Sequence, residues 1–284
     1  MPSRWAVNLA GPSDAPVPLA APHAVVSRWL DDPPGGQGDG AAASRRSGHG
    51  DQARKWAAGP MCAPVFGLEV RLLDDALASR LRSATRAGTP VRLGTAWFEV
   101  AEPPRLLAQS SWQELRQWPG TRAWQLRCLT PACFRRGNRT SPWPAPESVA
   151  RGLADRWRLL HPGTAPAVPA AGSVWVSDLD GRSQVQTLTR NNRRPGGGRP
   201  SGEEVISGFT GRIRYACDQG TDEHAAAFNA LLAFAAYAGV GSHTTYGFGI
   251  IQPEPTWQPP TWQPRSQCKL ACASSAAGLA RPSG

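Results

Sequence analysis

The chain has 284 residues, 40% of them hydrophobic, a length that at about 100–200 residues per domain fits two packed domains and excludes a mini-protein held by staples. Thirty-one basic against 21 acidic residues give a formal net charge of +10, which favours a polyanionic partner, nucleic acid first, held by phosphate contacts and counterion release. Gly and Pro make about a fifth of the chain, below the roughly 25–30% of generally disordered sequences, and all basic residues but Lys55 and Lys269 are arginine, a bias that GC-rich codons also produce.

In chain order, Arg4 to Leu9 is a short apolar run fit for a strand; Asn8 breaks it before it attains the length of a secretory core, so no signal peptide is predicted. Pro22 to Leu30 carries apolar residues at helical spacing behind a proline start. Residues 31–50, rich in Gly, Ala, Asp, Pro and Arg without periodicity, are expected to form a mobile surface loop. Extended stretches at 54–58 and 65–73, a helix over 74–86 ending near Gly88 and a strand over 91–100 complete a β-α-β-β-α-β order. The second half repeats it: a strand at 124–129, an amphipathic helix over 146–160, strands at 174–179 and 209–217, a strongly apolar helix over 222–238 and a short strand at 247–252. A Gly/Arg/Pro-rich insertion, residues 190–202, separates the middle two strands. The order predicts an α+β chain of two ferredoxin-like domains, residues 1–108 and 109–255, followed by a disordered Pro- and Trp-containing tail, 256–284. The apolar helix contains Asn229 and falls short of the roughly 20 residues a membrane span needs; it is expected to be buried, with no membrane partner.

The most specific segment is Gly239-Val-Gly241-Ser-His-Thr-Thr-Tyr-Gly247-Phe-Gly249, between that helix and the last strand. Two G-x-G pairs admit positive φ angles and let the backbone lie close against another molecule. Bare amides in such a loop bind phosphate oxygens as nests do. It is no Walker A loop, lacking a G-K-[S/T] ending, and no Rossmann turn, which follows a strand and opens a helix. The alternative is a glycine-rich helix cap and turn with no ligand.

Two G-h-G units five residues apart, behind an Ala-rich helix, resemble the C-terminal glycine-rich loop of the CRISPR-associated endoribonucleases of the Cas6 type, which cut repeat RNA into guide RNAs. Thr130-Pro-Ala-Cys-Phe134-Arg-Arg-Gly, Pro142-Trp-Pro-Ala-Pro-Glu147 and the Leu153-Ala-Asp-Arg-Trp157 helix end resemble three further segments of that family, and Gly208-Phe-Thr-Gly-Arg-Ile-Arg214-Tyr resembles its G-F-x-G strand. Together these matches run in order from about Leu129 to Pro253, and the tandem ferredoxin-like organisation is the one the resemblance implies. It also implies cleavage without metal or cofactor, a ribose 2′-OH attacking the adjacent phosphate to leave a cyclic phosphate. That chemistry needs a base, an acid and a cation for the phosphorane. His49, in Gly48-His49-Gly50-Asp-Gln52-Ala-Arg54-Lys55-Trp56, is similar to the family's catalytic histidine, and Lys55 stands where some members carry a catalytic lysine. The family's assisting tyrosine has no match between Asp31 and Gly48. His23 is the second candidate for the acid–base role; His161 and His224 read as helix-end residues.

As RNA-binding residues the resemblance implies Gly239, Gly241, His243, Thr244, Gly247 and Gly249 of the loop, with Arg135 and Arg136 as a basic edge whose guanidinium groups suit phosphates. Arg190, Arg193, Arg194 and Arg199 of the insertion lie where family members dock a hairpin into duplex RNA. The tail's Trp257 and Trp262 are candidates for stacking on bases or on a partner. The cysteines include no C-x-x-C pair and no nearby His at finger spacing, so reduced cytoplasmic thiols are expected and metal ligands are not. The expected partner is CRISPR repeat RNA, with other CRISPR effector subunits as further partners. The competing function is a non-catalytic RNA-binding subunit of such an effector complex; a generic RNA-recognition fold ranks last because no RNP1 signature is present.

Overall fold

The period-two pattern near the N-terminus becomes β1 (Ser3–Ala10), in which Ser3, Trp5, Val7 and Leu9 are buried and the residues between them half-buried. In the computed structural model, which describes residues 1–12, 15, 17–31, 54–62, 66–117, 121–137, 139–190 and 202–254, the strands that join it are β2 (Trp56–Cys62), β3 (Phe66–Leu72), β4 (Pro90–Leu93) and β5 (Ala96–Val100). They form an antiparallel sheet in the order β2-β3-β1-β5-β4, and β6 (Arg105–Gln109) adds a further pairing along β1. Helices α1 (Ala21–Leu30) and α2 (Leu77–Ala84) cover one face, placing Val25, Val26, Leu30, Leu77 and Leu81 on Trp5, Val7, Leu68, Val70 and Leu72. The strand expected over 91–100 is a hairpin instead: Gly94, at φ +66°, turns β4 back into β5, which keeps Val91, Leu93, Phe98 and Val100 all inward.

After a five-residue helix α3 (Trp112–Arg116), opened by a Ser111/Glu114 capping box, the second half builds β7 (Ala123–Ala132), the small hairpin β8 (Phe134–Arg136) and β9 (Arg139–Ser141), and α4 (Pro146–Leu160). A long ribbon follows, β10 (Trp175–Arg190) and β11 (Gly202–Ala216), then α5 (Asp222–Ala238) and β12 (Ile251–Glu254). The sheet runs β10-β11-β7-β12. Both sheets therefore place the second, third, first and fourth strands of a βαββαβ unit side by side, which is the ferredoxin-like order, and the chain is a tandem α+β protein of that class. The helices over 146–160 and 222–238 stand as the sequence predicts. The strand expected from Gly247 starts only at Ile251, because Gly247 and Gly249 sit at φ +84° and +66°, outside extended backbone. The insertion beyond Arg190, the loop after Asp31 and the tail beyond Glu254 lie outside the described residues.

α5 explains its own composition. It is apolar almost all round, and such a helix needs cover on every side. Phe228, Leu231, Leu232 and Phe234 lie in the core of the second sheet, while the helix also packs against β2 and β3 of the first sheet and against α3. Tyr237 reaches Ser110, Oη to Oγ 3.0 Å. Leu73 and Leu115 join the same core as Trp124, Trp157 and Phe228, so the hydrophobic interior crosses from one half to the other. No described helix is long and apolar enough to cross a membrane.

Candidate functional site

The chain leaves α5 at Gly239 (φ +73°) and folds back on itself through residues 240–250 around a 3-10 turn, Thr244–Tyr246. The sequence predicts bare amides along this loop, but those of Gly239, Gly247 and Gly249, with Val240 and Ser242 between them, are engaged within the protein. Gly239 donates to Ala235 O, Val240 to Gly249 O, Ser242 to Cys133 O, Gly247 to Thr244 O and Gly249 to Pro131 O, at 2.8–3.2 Å. A Cβ on Gly241 would stand 2.2 Å from Cys133 O, and one on Gly249 1.8 Å from Val240 O. Glycine at these two positions lets backbone lie on backbone of the same chain. Gly247 differs: a Cβ there would meet nothing nearer than Gly59 O, at 3.6 Å.

His243 and Thr244 are also inside rather than on an RNA-facing surface, at 3% and 2% exposure. The His243 ring, on a residue at φ +62°, places Nδ1 3.1 Å from Ser242 Oγ and 3.6 Å from Cys133 Sγ, and Nε2 3.5 Å from Glu204 Oε1. Glu204 belongs to β11. Leu188 and Ile206, on the same face of the ribbon, pack with Cys133 and Phe248 as a small separate core. The loop and the outer part of the ribbon are thus one packed unit, and the opposite face of the ribbon carries Val185 and Val205 into solvent.

This unit abuts the first half. β2 is an edge strand, and the 3-10 turn packs against it and against α1, covering an edge that would otherwise be open. The His23 ring stacks on Tyr246, centroids 3.8 Å apart and 6° from parallel, and tilts against Trp56 at 5.4 Å. Its Nδ1 lies 3.3 Å from Thr245 O. Trp56 Nε1 donates to Asp31 Oδ1 (2.9 Å), Arg54 forms an ion pair with Asp31, and the Arg54 guanidinium lies over the Trp56 ring. Asp31 and Arg54 thus meet at Trp56, beside His23; His49, which lies between them in sequence, is outside the described residues.

Lys55 follows directly. Its ammonium meets Asp74 at 2.7 Å with a side chain 58% exposed, and the hydrogen bond from Lys55 holds the Asp74 carboxyl below the usual carboxylate range, the Ala76 amide adding to it. Arg135 is exposed on β8, which joins the loop through the antiparallel bridge between Cys133 and Ser242. Arg136 shares that strand; its side chain, like Arg193, Arg194 and Arg199, lies outside the described residues. The fold accordingly brings together the glycine-rich loop, the Arg135 hairpin and the strand that Lys55 precedes.

Two residues at this junction escaped the sequence reading. Of the three tyrosines, Tyr215 is buried with its hydroxyl on Pro144 O and Tyr237 meets Ser110, so Tyr246 is the one at the junction. Arg156 projects from α4 and donates to Ala238 O, Thr244 Oγ1, Arg54 O and Trp56 O. Its signal was present as a charge on the helix face of Val149, Leu153 and Trp157.

Residues 126–251 match the family described as CRISPR-associated endoribonuclease Cas6. No curated protein sequence matches the chain significantly. Among solved structures, a Cas6 product complex is 24% identical, covering 89% of this chain and 99% of its own, with a TM-score of 0.65. A Cas6 substrate mimic complex gives 24%, 89%, 99% and 0.63, and Thermus thermophilus Cas6 gives 22%, 89%, 98% and 0.57. The sequence pattern of that family thus runs through the second ferredoxin-like unit, and the chain shares the fold of these Cas6 structures across both units.

Proposed function

We propose that the chain cuts CRISPR repeat RNA into guide RNAs without a metal ion, the ribose 2′-OH attacking the adjacent phosphate. One bond, 2′-O to phosphorus, forms as the phosphorus to 5′-O bond breaks; the 2′-OH proton leaves to a base and a proton is delivered to the 5′-oxygen, leaving a 2′,3′-cyclic phosphate. His49 is the acid–base group, of the residue type that titrates nearest neutral pH. Lys55 exchanges its exposed ion pair with Asp74 for the phosphorane oxygens, a contact whose value lies in the charge that develops in the transition state. The RNA backbone lies along the loop at Gly247 and the exposed Arg135, with Arg136 beside it.

The observation that carries this reading is the docking of the glycine-rich loop on the edge of β2, the strand reached directly from the His49 segment through Lys55. Support also comes from the matched structures, which include a product complex, a substrate mimic complex and a histidine-to-alanine mutant of Cas6. The test is cleavage of repeat RNA in excess EDTA, beside the same RNA with a single 2′-deoxy substitution at the scissile nucleotide. Cleavage of the first and none of the second is expected. Cleavage of the deoxy substrate overturns the mechanism, dependence on added divalent cation overturns metal independence, and tight binding without any cleavage assigns the chain to the role of a non-catalytic effector subunit.

A further inference from the structure

Arg156 is 4% exposed, although it is an arginine on a helix whose other face meets solvent. Its Nη1 donates to Ala238 O and to Thr244 Oγ1, both at 2.8 Å, and its Nη2 to Arg54 O at 3.2 Å and Trp56 O at 3.1 Å. One planar group therefore joins three separate parts of the molecule. The Ala238 carbonyl is the last of α5, where a cation meets the negative end of the helix dipole. Thr244 opens the 3-10 turn of the glycine-rich loop. Arg54 and Trp56 flank Lys55, whose own carbonyl points away from Arg156 and accepts from Leu73 N at 2.8 Å. Guanidinium N–H groups stand in a fixed fork, unlike the three donors of a lysine, which share one atom on a flexible stem. Four oxygens held by the fork keep fixed positions relative to one another.

We propose that Arg156 is the positioning residue of the cleavage site: it sets the separation between the glycine-rich loop, along which the RNA lies, and residues 54–56, and so places Lys55 against the scissile phosphate. The inference rests on the reading of the chain as an RNA-cutting enzyme. Arg156 touches no RNA in this scheme. It acts through Lys55 and its neighbours.

The test uses the full chain with repeat RNA, measuring affinity and binding stoichiometry with the 2′-deoxy substrate and the single-turnover rate per bound complex with the natural one. Arg156→Lys should bind within about threefold of wild type while the rate per bound complex falls about 10²-fold, the cost of displacing a reacting group by about an ångström. Introduced into Lys55→Ala, the same substitution should cost less than about threefold more, since both act on one step and their effects do not add. An arginine that serves folding alone would lower the thermal midpoint and the fraction able to bind, yet leave the rate of the bound fraction unchanged; that result overturns the proposal, as does additivity with Lys55→Ala. If Arg156→Lys does not fold, Thr244→Val removes one of the four acceptors. It should slow the bound complex by about tenfold, as loss of one oriented contact does, and a wild-type rate overturns the proposal. Failure of the wild-type chain to cut refutes the enzymatic reading and the positioning role with it, whereas a cutting wild type beside a full-rate Arg156→Lys refutes the positioning role alone.

Discussion

His49 and Lys55 can be separated by what each loses on truncation. His49→Ala removes the proton-transfer group and should lower the single-turnover rate by about 10²–10⁴ with repeat RNA still bound; full-rate cleavage by that variant would move the role to His23, whose ring stacks on Tyr246 at the same junction. Lys55→Ala breaks an exposed pair with Asp74, an interaction worth about 0–1 kcal/mol, so its thermal midpoint should barely move while cleavage slows. A Lys55→Ala protein that unfolds early would show that the ion pair is structural. His49 and Lys55 are proposed on the resemblance of their segment to the family's, whereas nothing in the sequence marks the contacts of the residue that grips the backbone on either side of Lys55. Arg156 makes its four contacts with backbone and a hydroxyl 82 to 102 positions away, and no local pattern records a contact of that range. The same holds for Tyr246: its sequence neighbours are small or glycine, and its partner His23 comes from the other half of the chain.

Elements with one strong internal signal were legible and those defined by their partners were not. α4 has a proline start and a regular apolar stripe, and α5 is a continuous Ala/Leu/Phe run, so each declares its own ends. β10 and β11 extend well beyond the strands expected at 174–179 and 209–217, because their outer residues pair only with each other, as in Leu188 opposite Glu204 and Gln186 opposite Ile206. The glycine-rich loop is legible as a segment, while the engagement of its Gly249 and Ser242 amides is not, since their acceptors, Pro131 O and Cys133 O, lie in β7 and just after it. That engagement changes how the loop is tested. Gly241→Ala and Gly249→Ala push a methyl into backbone oxygens and should lower the thermal midpoint of the free protein. Gly247→Ala meets only ordinary contacts, Gly59 O at 3.6 Å and Ala58 O at 3.9 Å, and strains its φ of +84°, a cost of about 1–2 kcal/mol. On the proposed path of the RNA along the loop at Gly247, repeat-RNA affinity at fixed salt should fall for Gly247→Val by more than the stability loss accounts for; unchanged affinity in a folded Gly247→Val protein would leave the loop a structural turn.

At the scale of the molecule, the two ferredoxin-like units are joined by a shared helix rather than by a hinge. The face of the first sheet turned away from α1 and α2 carries Arg4, Glu69 and Arg71, with Tyr237 of α5 near Arg4. Glu69 Oε1 accepts from Arg4 Nε and Arg71 Nε at 2.8 Å each, with Oε2 taking Arg4 Nη2 at 3.1 Å. Arg71 is 1% exposed, and its Nη1 finds no hydrogen-bond partner among the described residues, so Glu69 is what compensates its charge. Burial alone would raise the Glu69 carboxyl; the hydrogen bond from Arg4 and the charges of Arg71 and Arg4 outweigh it and hold the group below the usual range. A folded-state pKa below the unfolded one contributes stability that is complete above the unfolded value, about 4.3, and is lost as pH falls through the folded value. The thermal midpoint should therefore drop as pH is lowered from about 5 to about 3. Glu69→Gln should already be destabilised at pH 7, by about 3–5 kcal/mol because it leaves a buried guanidinium uncompensated, and its midpoint should fall less steeply over the same acid range. Because Leu73 and Leu115 share a core with Trp124 and Trp157, both halves should unfold in one calorimetric transition, with the variant shifting all of it. An acid slope in Glu69→Gln equal to that of wild type would remove Glu69 as the source, and two transitions of which only the first moved would show that α5 does not bind the halves into one folding unit.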